Sequence, residues 1–211
     1  AAYWIYRRAG FHPLLNPVAL AVAFLVALLA VTGTPYKTYF DGAQFVHFLL
    51  GPATVALAIP LYAQLERLRA LFVPLALSLV VGSLVAIVSA IGIAWALGAS
   101  RETMLSLAPK SGTTPIAMGI AEKLGGLPSL TAVLVVSTGI VGAVSAKYVL
   151  DALRIEDHAV RGFSVGVAAH GIGTARAFQV SEEAGAFAGL GMGLNGLATA
   201  ALFPLLVWLA R

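Results

Sequence analysis

Residues 108–123 read APKSGTTPIAMGIAEK, a polar, glycine-containing segment set between long apolar runs. Pro109 and Gly112 oppose helix formation. Thr113 or Thr114 can cap a new helix, and Pro115 suits its first turn, where an amide hydrogen has no partner in any case. A helix is therefore expected to start here. At membrane depth, its unpaired N–H groups and positive dipole end would face a cavity and could hold an anion. Lys110 adds a full charge beside that start. The segment reads as the small-carboxylate site of a membrane protein.

The composition places the rest of the chain in a bilayer. Mean hydropathy is +0.93, with 60% hydrophobic and only 10% charged residues, whereas a soluble domain has roughly 25% charged residues. At about 20 apolar residues per crossing, 211 residues leave room for roughly six to eight membrane elements and no soluble domain. The fold class expected is an all-α polytopic membrane bundle, a single transmembrane domain over residues 1–211. With no Cys in the chain, disulfides, thiolate catalysis and Cys-ligated metals are excluded. No zinc or calcium ligand spacing is visible, and no cofactor is implied. Thirteen Lys and Arg against nine Asp and Glu read as membrane-flanking charge; with no basic run or aromatic platform, nucleic acid is not an expected partner.

Tyr3-Trp4-Ile5-Tyr6 followed by Arg7-Arg8 looks like the interfacial end of a span with its cationic flank, leaving place for a first helix upstream. Val18 to Val31 is a clear membrane helix, and Tyr36 to Asp41 reads as an aromatic interfacial loop. Phe45 to Tyr62 is interrupted by Gly51-Pro52 and again by Pro60. Glu66, Arg67 and Arg69 read as a charged loop before a crossing over Leu71 to Leu97, and Arg101 and Glu102 as a second loop. Ser129 to Leu150 and Ala184 to Leu209 are further crossings. The basic loops at Arg7-Arg8, at Arg67 and Arg69, and at Lys147, Arg154 and Arg161 are expected to be cytoplasmic. Arg101 and Lys147 then flank opposite sides, so the segment 108–123 should dip in and return. Gly185, Gly189 and Gly193 fall on one face of the last helix, a face expected to pack tightly.

Polar residues concentrate in a second apolar stretch, Arg161 to Val180, RGFSVGVAAHGIGTARAFQV, where they mark function by default because they are costly in lipid. A shift of about 60 residues brings Thr114 onto Thr174, Glu122 onto Glu182 and Gly125 onto Gly185. It superposes one broken segment on another, as in transporters whose half-helices meet near the midplane. His170 reads as a packing residue, or as a donor or proton carrier at a second helix start around Gly171, Gly173 and Thr174. Arg176 can grip a carboxylate bidentately, or form an ion pair with Glu122, Glu182 or Glu183. Lys110 is a substrate cation or a snorkelling lysine. Gly162-Phe163-Ser164-Val165-Gly166 matches the G-x-S-x-G of serine hydrolases, but that motif needs a strand-to-helix elbow. Here Gly162 and Gly166 read as a helix-packing face, and no enzyme is expected. Asn195 is assigned to packing.

Three stretches, LLGPATVALAIPLY (49–62), PKSGTTPIAMGIAEKLGG (109–126) and AAHGIGTARAF (168–178), resemble the LrgB/CidB/YohK family of bacterial membrane proteins. The resemblance covers the chain from about Leu49 onward. It implies a multi-pass protein of the bacterial inner membrane, working with a small LrgA/CidA-like membrane protein, with a homo-oligomer also compatible. Two functions are implied. One is antiholin- or holin-like control of murein hydrolase activity and cell lysis. The other is carriage of small monocarboxylates such as glycolate, glycerate or pyruvate, as in related plastid proteins. Polar groups confined to two short broken segments favour the carrier over a pore lined along its length. The substrate-binding set expected is Lys110, Ser111, Thr113, Thr114, His170, Gly171, Gly173, Thr174 and Arg176, with Thr54 completing the cavity.

Overall fold

A computed structural model describes residues 2–10, 12, 15–56 and 58–209. The described residues form eleven helices and no strand. They fall into two compact units, Ala1–Ile59 and Pro60–Arg211.

The first unit contains α1 (Ala2–Arg8), α2 (Pro17–Thr32), α3 (Tyr36–Ala56) and the start of α4 (Ala58–Ala63). The Arg8 guanidinium lies 4.1 Å from the centroid of the Trp4 ring in α1, a cation–π contact suited to an interfacial helix end. Asn16 caps α2 by accepting from the Val18 and Ala19 amides, and Gly33 closes it in the left-handed region at φ 63°. The expected interfacial loop at Tyr36 to Asp41 is instead the opening of α3, where the Tyr36 ring packs at a tilt against those of Tyr39 and Phe40. Pro52 lies within α3 and does not end it.

The second unit comprises the remainder of α4, α5 (Leu65–Ala70), α6 (Phe72–Ala96), α7 (Arg101–Leu107), α8 (Thr114–Leu124), α9 (Pro128–Ala152), α10 (His158–Phe178) and α11 (Glu182–Leu209). The charged stretches expected as loops at Glu66–Arg69 and Arg101–Glu102 are helical. In the second, Ser100 supplies the cap by accepting from the Thr103 amide. Phe72–Ala96, Pro128–Ala152 and Glu182–Leu205 are each long and apolar enough to cross a bilayer. Their large side chains point outward as readily as inward: Phe72, Leu77, Val81, Val85, Ile93 and Trp95 of α6 are all exposed. This is the surface of a lipid-facing helix.

Between these crossings the chain makes two re-entrant hairpins. Arg67 pairs with Asp157, just before α10, and with Glu183, the second residue of α11. Both ends of α10 thus lie at the Arg67 end of the unit, although 21 residues of straight helix would separate them by about 30 Å. The helix folds back at His170, whose φ of 41° and ψ of −134° are not helical. Gly173 on the return arm lies against Ala169 and Val165 on the entry arm.

The other hairpin enters from the opposite end and consists of α7, a turn over 108–113, and α8. Its base is closed where the Ser106 hydroxyl accepts from the Leu127 amide at 2.7 Å and the Thr131 hydroxyl donates to the Ser106 carbonyl at 3.0 Å. Thr113 is the N-cap residue of α8 and Pro115 lies in its first turn, as the sequence predicts. The unit is therefore a crossing followed by two hairpin-and-crossing pairs of opposite orientation, the inverted arrangement common in transporters.

A separate apolar core seats each hairpin. Leu75, Ala159, Phe163, Val167 and Phe187 surround the α10 hairpin; Ile87, Leu105, Ala108, Ile120 and Phe203 surround the other. Because lipid chains are as apolar as leucine, such helices gain from close packing more than from leaving water. Gly162 and Gly166 provide that closeness, since a Cβ on either would collide with the backbone of Ala184 or Ala188. The expected face Gly185, Gly189, Gly193 packs tightly at its start, where Gly185 is buried against the Phe178 ring, but not at Gly193, which is exposed with nothing near its Cβ position. The entry arm of α10 runs parallel to α11, and this register puts Ala184, Ala188 and Gly191 against it.

Candidate functional site

Both hairpin tips are tied to one side chain. Asn195 is 1% exposed in the middle of α11. Its Nδ2 donates to the Ser111 carbonyl at 2.9 Å and to the Val167 carbonyl at 3.0 Å. Its Oδ1 accepts from the Ser83 hydroxyl of α6 at 2.6 Å. A primary amide supplies two donors and an acceptor in one plane, which satisfies both carbonyls exposed where the hairpins break. The packing role expected of Asn195 understates this. A lone amide within an apolar crossing was the signal available in the sequence.

Beside this junction lies a cavity of about 630 Å3, within the range of small-molecule sites. Ser78 and Gly82 of α6, Ser137 and Thr138 of α9, Ser164 of α10, and Lys110 and Ser111 of the α7–α8 tip all line it. Lys110 is half-buried, and its ammonium is 3.5 Å from the Ser111 hydroxyl. An ammonium with hydroxyls around it can neutralise a carboxylate and hydrogen-bond a neighbouring hydroxyl or keto oxygen. Ser164, the centre of the G-x-S-x-G match, sits in mid-helix and donates to the Val160 carbonyl at 2.8 Å. It is not on a strand-to-helix elbow.

The other expected site residues are distributed around the cavity or away from it. Thr113 and Thr114 are at the start of α8, where the Thr113 side chain makes no capping bond. His170 is 5% exposed and reaches α9, its Nε2 donating to the Val135 carbonyl at 2.8 Å. Because a carbonyl can only accept, this bond fixes the Nε2–H form. His170 thus braces the tip of its hairpin on α9 and is not among the residues lining the cavity. The space for its ring is provided by Gly139, whose Cβ would fall 2.5 Å from His170 Cε1.

Gly171 is exposed and Gly173 buried in the return arm. Thr174 lies inside that arm, with its hydroxyl donating to the His170 carbonyl at 2.8 Å. The helix start expected at Thr174 is set instead by the break at His170. Arg176 is brought to a second, smaller cavity near the Arg67 end, and its Nη1 donates to Gln179 at 3.3 Å. Of its three expected acidic partners, Glu183 is engaged by Arg67. Thr54 belongs to α3 in the first unit, and its side chain lies outside the described residues. Lys110 and Ser111 are therefore the expected residues that the structure brings to one cavity. Ser83 and Asn195 anchor Ser111 at its edge, and the hydroxyls of Ser78 in α6 and of Ser137 and Thr138 in α9 complete it.

A family model described as the LrgB-like family matches residues 1–209, well beyond the stretches that carry the resemblance in the sequence. The uncharacterized protein YwbG of Bacillus subtilis (strain 168) is 38% identical over 192 residues, spanning 91% of this chain and 85% of the relative. YxaC of the same organism, also uncharacterized, is 36% identical over 205 residues, 97% of this chain and 89% of the relative. The holin-like protein CidB of Staphylococcus epidermidis is 29% identical over 198 residues, 94% of this chain and 86% of the relative. No solved structure matches the chain. With the match running through both units and both hairpins, the chain belongs to the LrgB-like family.

Proposed function

We propose that this protein is a carrier of small monocarboxylates of the glycolate, glycerate or pyruvate type in the bacterial inner membrane, working with an LrgA/CidA-like partner. The observation that carries the reading is Lys110, a half-buried cation at the tip of a re-entrant hairpin, facing a largely apolar cavity into which Ser78, Ser111, Ser137, Thr138 and Ser164 bring hydroxyls. A charge at that depth is costly unless a counter-ion repays it, and a two- or three-carbon acid with a hydroxyl or keto group matches both the charge and the donors. Opposed hairpins reaching from the two ends of the unit support movement of a central site between the two faces. Lys110 and Ser111 bind the carboxylate, Ser137 and Thr138 take the second oxygen function, and His170 keeps the neighbouring tip in place.

The second reading, a holin- or antiholin-like pore or regulator of lysis, is favoured by the holin-like name of the CidB relatives. The two differ in flux. Purified protein, with and without an LrgA-like partner, is reconstituted in liposomes and uptake of labelled glycolate, glycerate and pyruvate is measured. A carrier gives saturable, substrate-selective uptake that falls by about tenfold or more in Lys110→Gln, as expected when a charge-assisted contact is lost. Unsaturable leakage of unrelated dyes by the wild type, unchanged in Lys110→Gln, would establish the pore instead.

A further inference from the structure

The smaller cavity, about 170 Å3, lies where the end of α9 meets both arms of the α10 hairpin. Lys147, Arg161 and Arg176 line it together with apolar groups that include Ala143, Leu150 and Val165. It shares no lining residue with the Lys110 cavity. Asp151 accepts from Arg161 at 2.8 Å, and Arg161 also donates to the Ile155 carbonyl at 2.8 Å. Both bonds use Nη1, fixing the guanidinium beside the cavity. Three cationic side chains from three segments thus meet at one small cavity. Lys147 is five residues from the end of α9, or about 8 Å of helix, which is headgroup depth for a crossing that ends at Ala152. Cations at that level over an apolar wall match an amphiphile with an anionic head.

We infer that this cavity is a binding site for the phosphodiester headgroup of an anionic phospholipid, held by Lys147, Arg161 and Arg176, with the apolar wall against the start of its acyl region. A basic pocket between membrane helices is a recognised lipid-binding form. Here the lipid would also have a mechanical role. Arg161 is on the entry arm of the α10 hairpin, Arg176 on the return arm and Lys147 on α9, so one headgroup cross-links three segments. Occupancy clamps the base of the hairpin whose tip is next to the Lys110 cavity. The site does not depend on the solute carried, because it is built at the bilayer surface from other residues.

The test compares wild-type protein in nanodiscs of phosphatidylcholine alone and of phosphatidylcholine with phosphatidylglycerol, reading retained lipid by native mass spectrometry and thermal unfolding of each sample. Wild type retains phosphatidylglycerol selectively and unfolds at higher temperature when it is present. Removing two cations in Lys147→Gln/Arg176→Gln weakens that retention by about 30-fold and abolishes the thermal shift, while Lys123→Gln, at the end of α8, changes neither. Lys147 is exposed, so Lys147→Gln alone keeps the fold and reports a partial loss if the double variant does not fold. Undiminished phosphatidylglycerol retention in both variants overturns the proposal. So does an equal thermal shift on adding inorganic phosphate to phosphatidylcholine nanodiscs, which would identify a site for free anions.

Discussion

At the scale of single residues, Asn195 and His170 both fix a hairpin tip, with different chemistry: Asn195 donates to carbonyls of both hairpins, and His170 ties its own tip to the Val135 carbonyl of α9. Replacing Asn195 with Leu removes three buried hydrogen bonds and leaves the Ser111 and Val167 carbonyls without their donor. A bond between membrane helices is worth only about 0.6 kcal/mol on average, but an orphaned buried carbonyl costs about 1–3 kcal/mol, so the orphaning decides the outcome. Asn195→Leu should lose about 2–4 kcal/mol of stability, readable by denaturant unfolding in detergent. His170 separates two contributions. At φ 41° it occupies backbone that favours glycine, so His170→Gly loses only the bond to Val135 and the ring packing. His170→Ala loses both and keeps the strain. The glycine variant should be the more stable by about 1 kcal/mol; an alanine variant of equal or greater stability would show that the backbone at 170 relaxes freely.

At the scale of elements, the contact between the α10 entry arm and α11 depends on the glycines at 162, 166 and 191, whereas Gly193 lies outside it. Gly166→Ala places a methyl group into the Ala188 backbone and should cost about 1–3 kcal/mol by forcing the helices apart. Gly193→Ala meets nothing within 4 Å and should gain about 0.5–1 kcal/mol from the lower entropy of the unfolded chain. Melting temperatures of the two variants moving in the same direction would be incompatible with this seam. From the sequence both glycines look equivalent, each in a four-residue series on a helix. Which series faces a neighbour depends on helix register, and register is set by contacts made far along the chain.

At the scale of the whole second unit, Arg67 joins the start of α10 to the start of α11 and so closes the hairpin whose tip is next to the Lys110 cavity. The carboxyl of Asp157 is held below the ordinary Asp value of 3.8, first by the Val160 amide it caps and then by Arg67, against some opposing desolvation. Because its folded pKa is the lower one, the stability it contributes is present above pH 3.8 and is lost as pH falls through the folded value. Thermal unfolding between pH 5 and pH 2 should therefore show a steeper loss in wild type than in Asp157→Asn, which is less stable at pH 5 and closes the gap in acid. An equal pH slope in both proteins would remove Asp157 from the latch. The all-helical membrane class, the helix start at Thr113 and the two broken segments were legible in the chain because they follow from local composition: apolar length, proline and glycine breaks, and polar residues too costly to place idly in lipid. The same local signals misread Tyr36–Asp41 and Glu66–Arg69 as loops, since a short polar helix at a membrane edge has the composition of a loop. Tertiary structure alone decided that Lys110 and Arg176 occupy different cavities, that His170 turns to α9, and that Asn195 joins the two tips. Those outcomes depend on where a chain that folds back twice brings residues from α6, α9 and α11 together, and no spacing along the sequence encodes such a meeting.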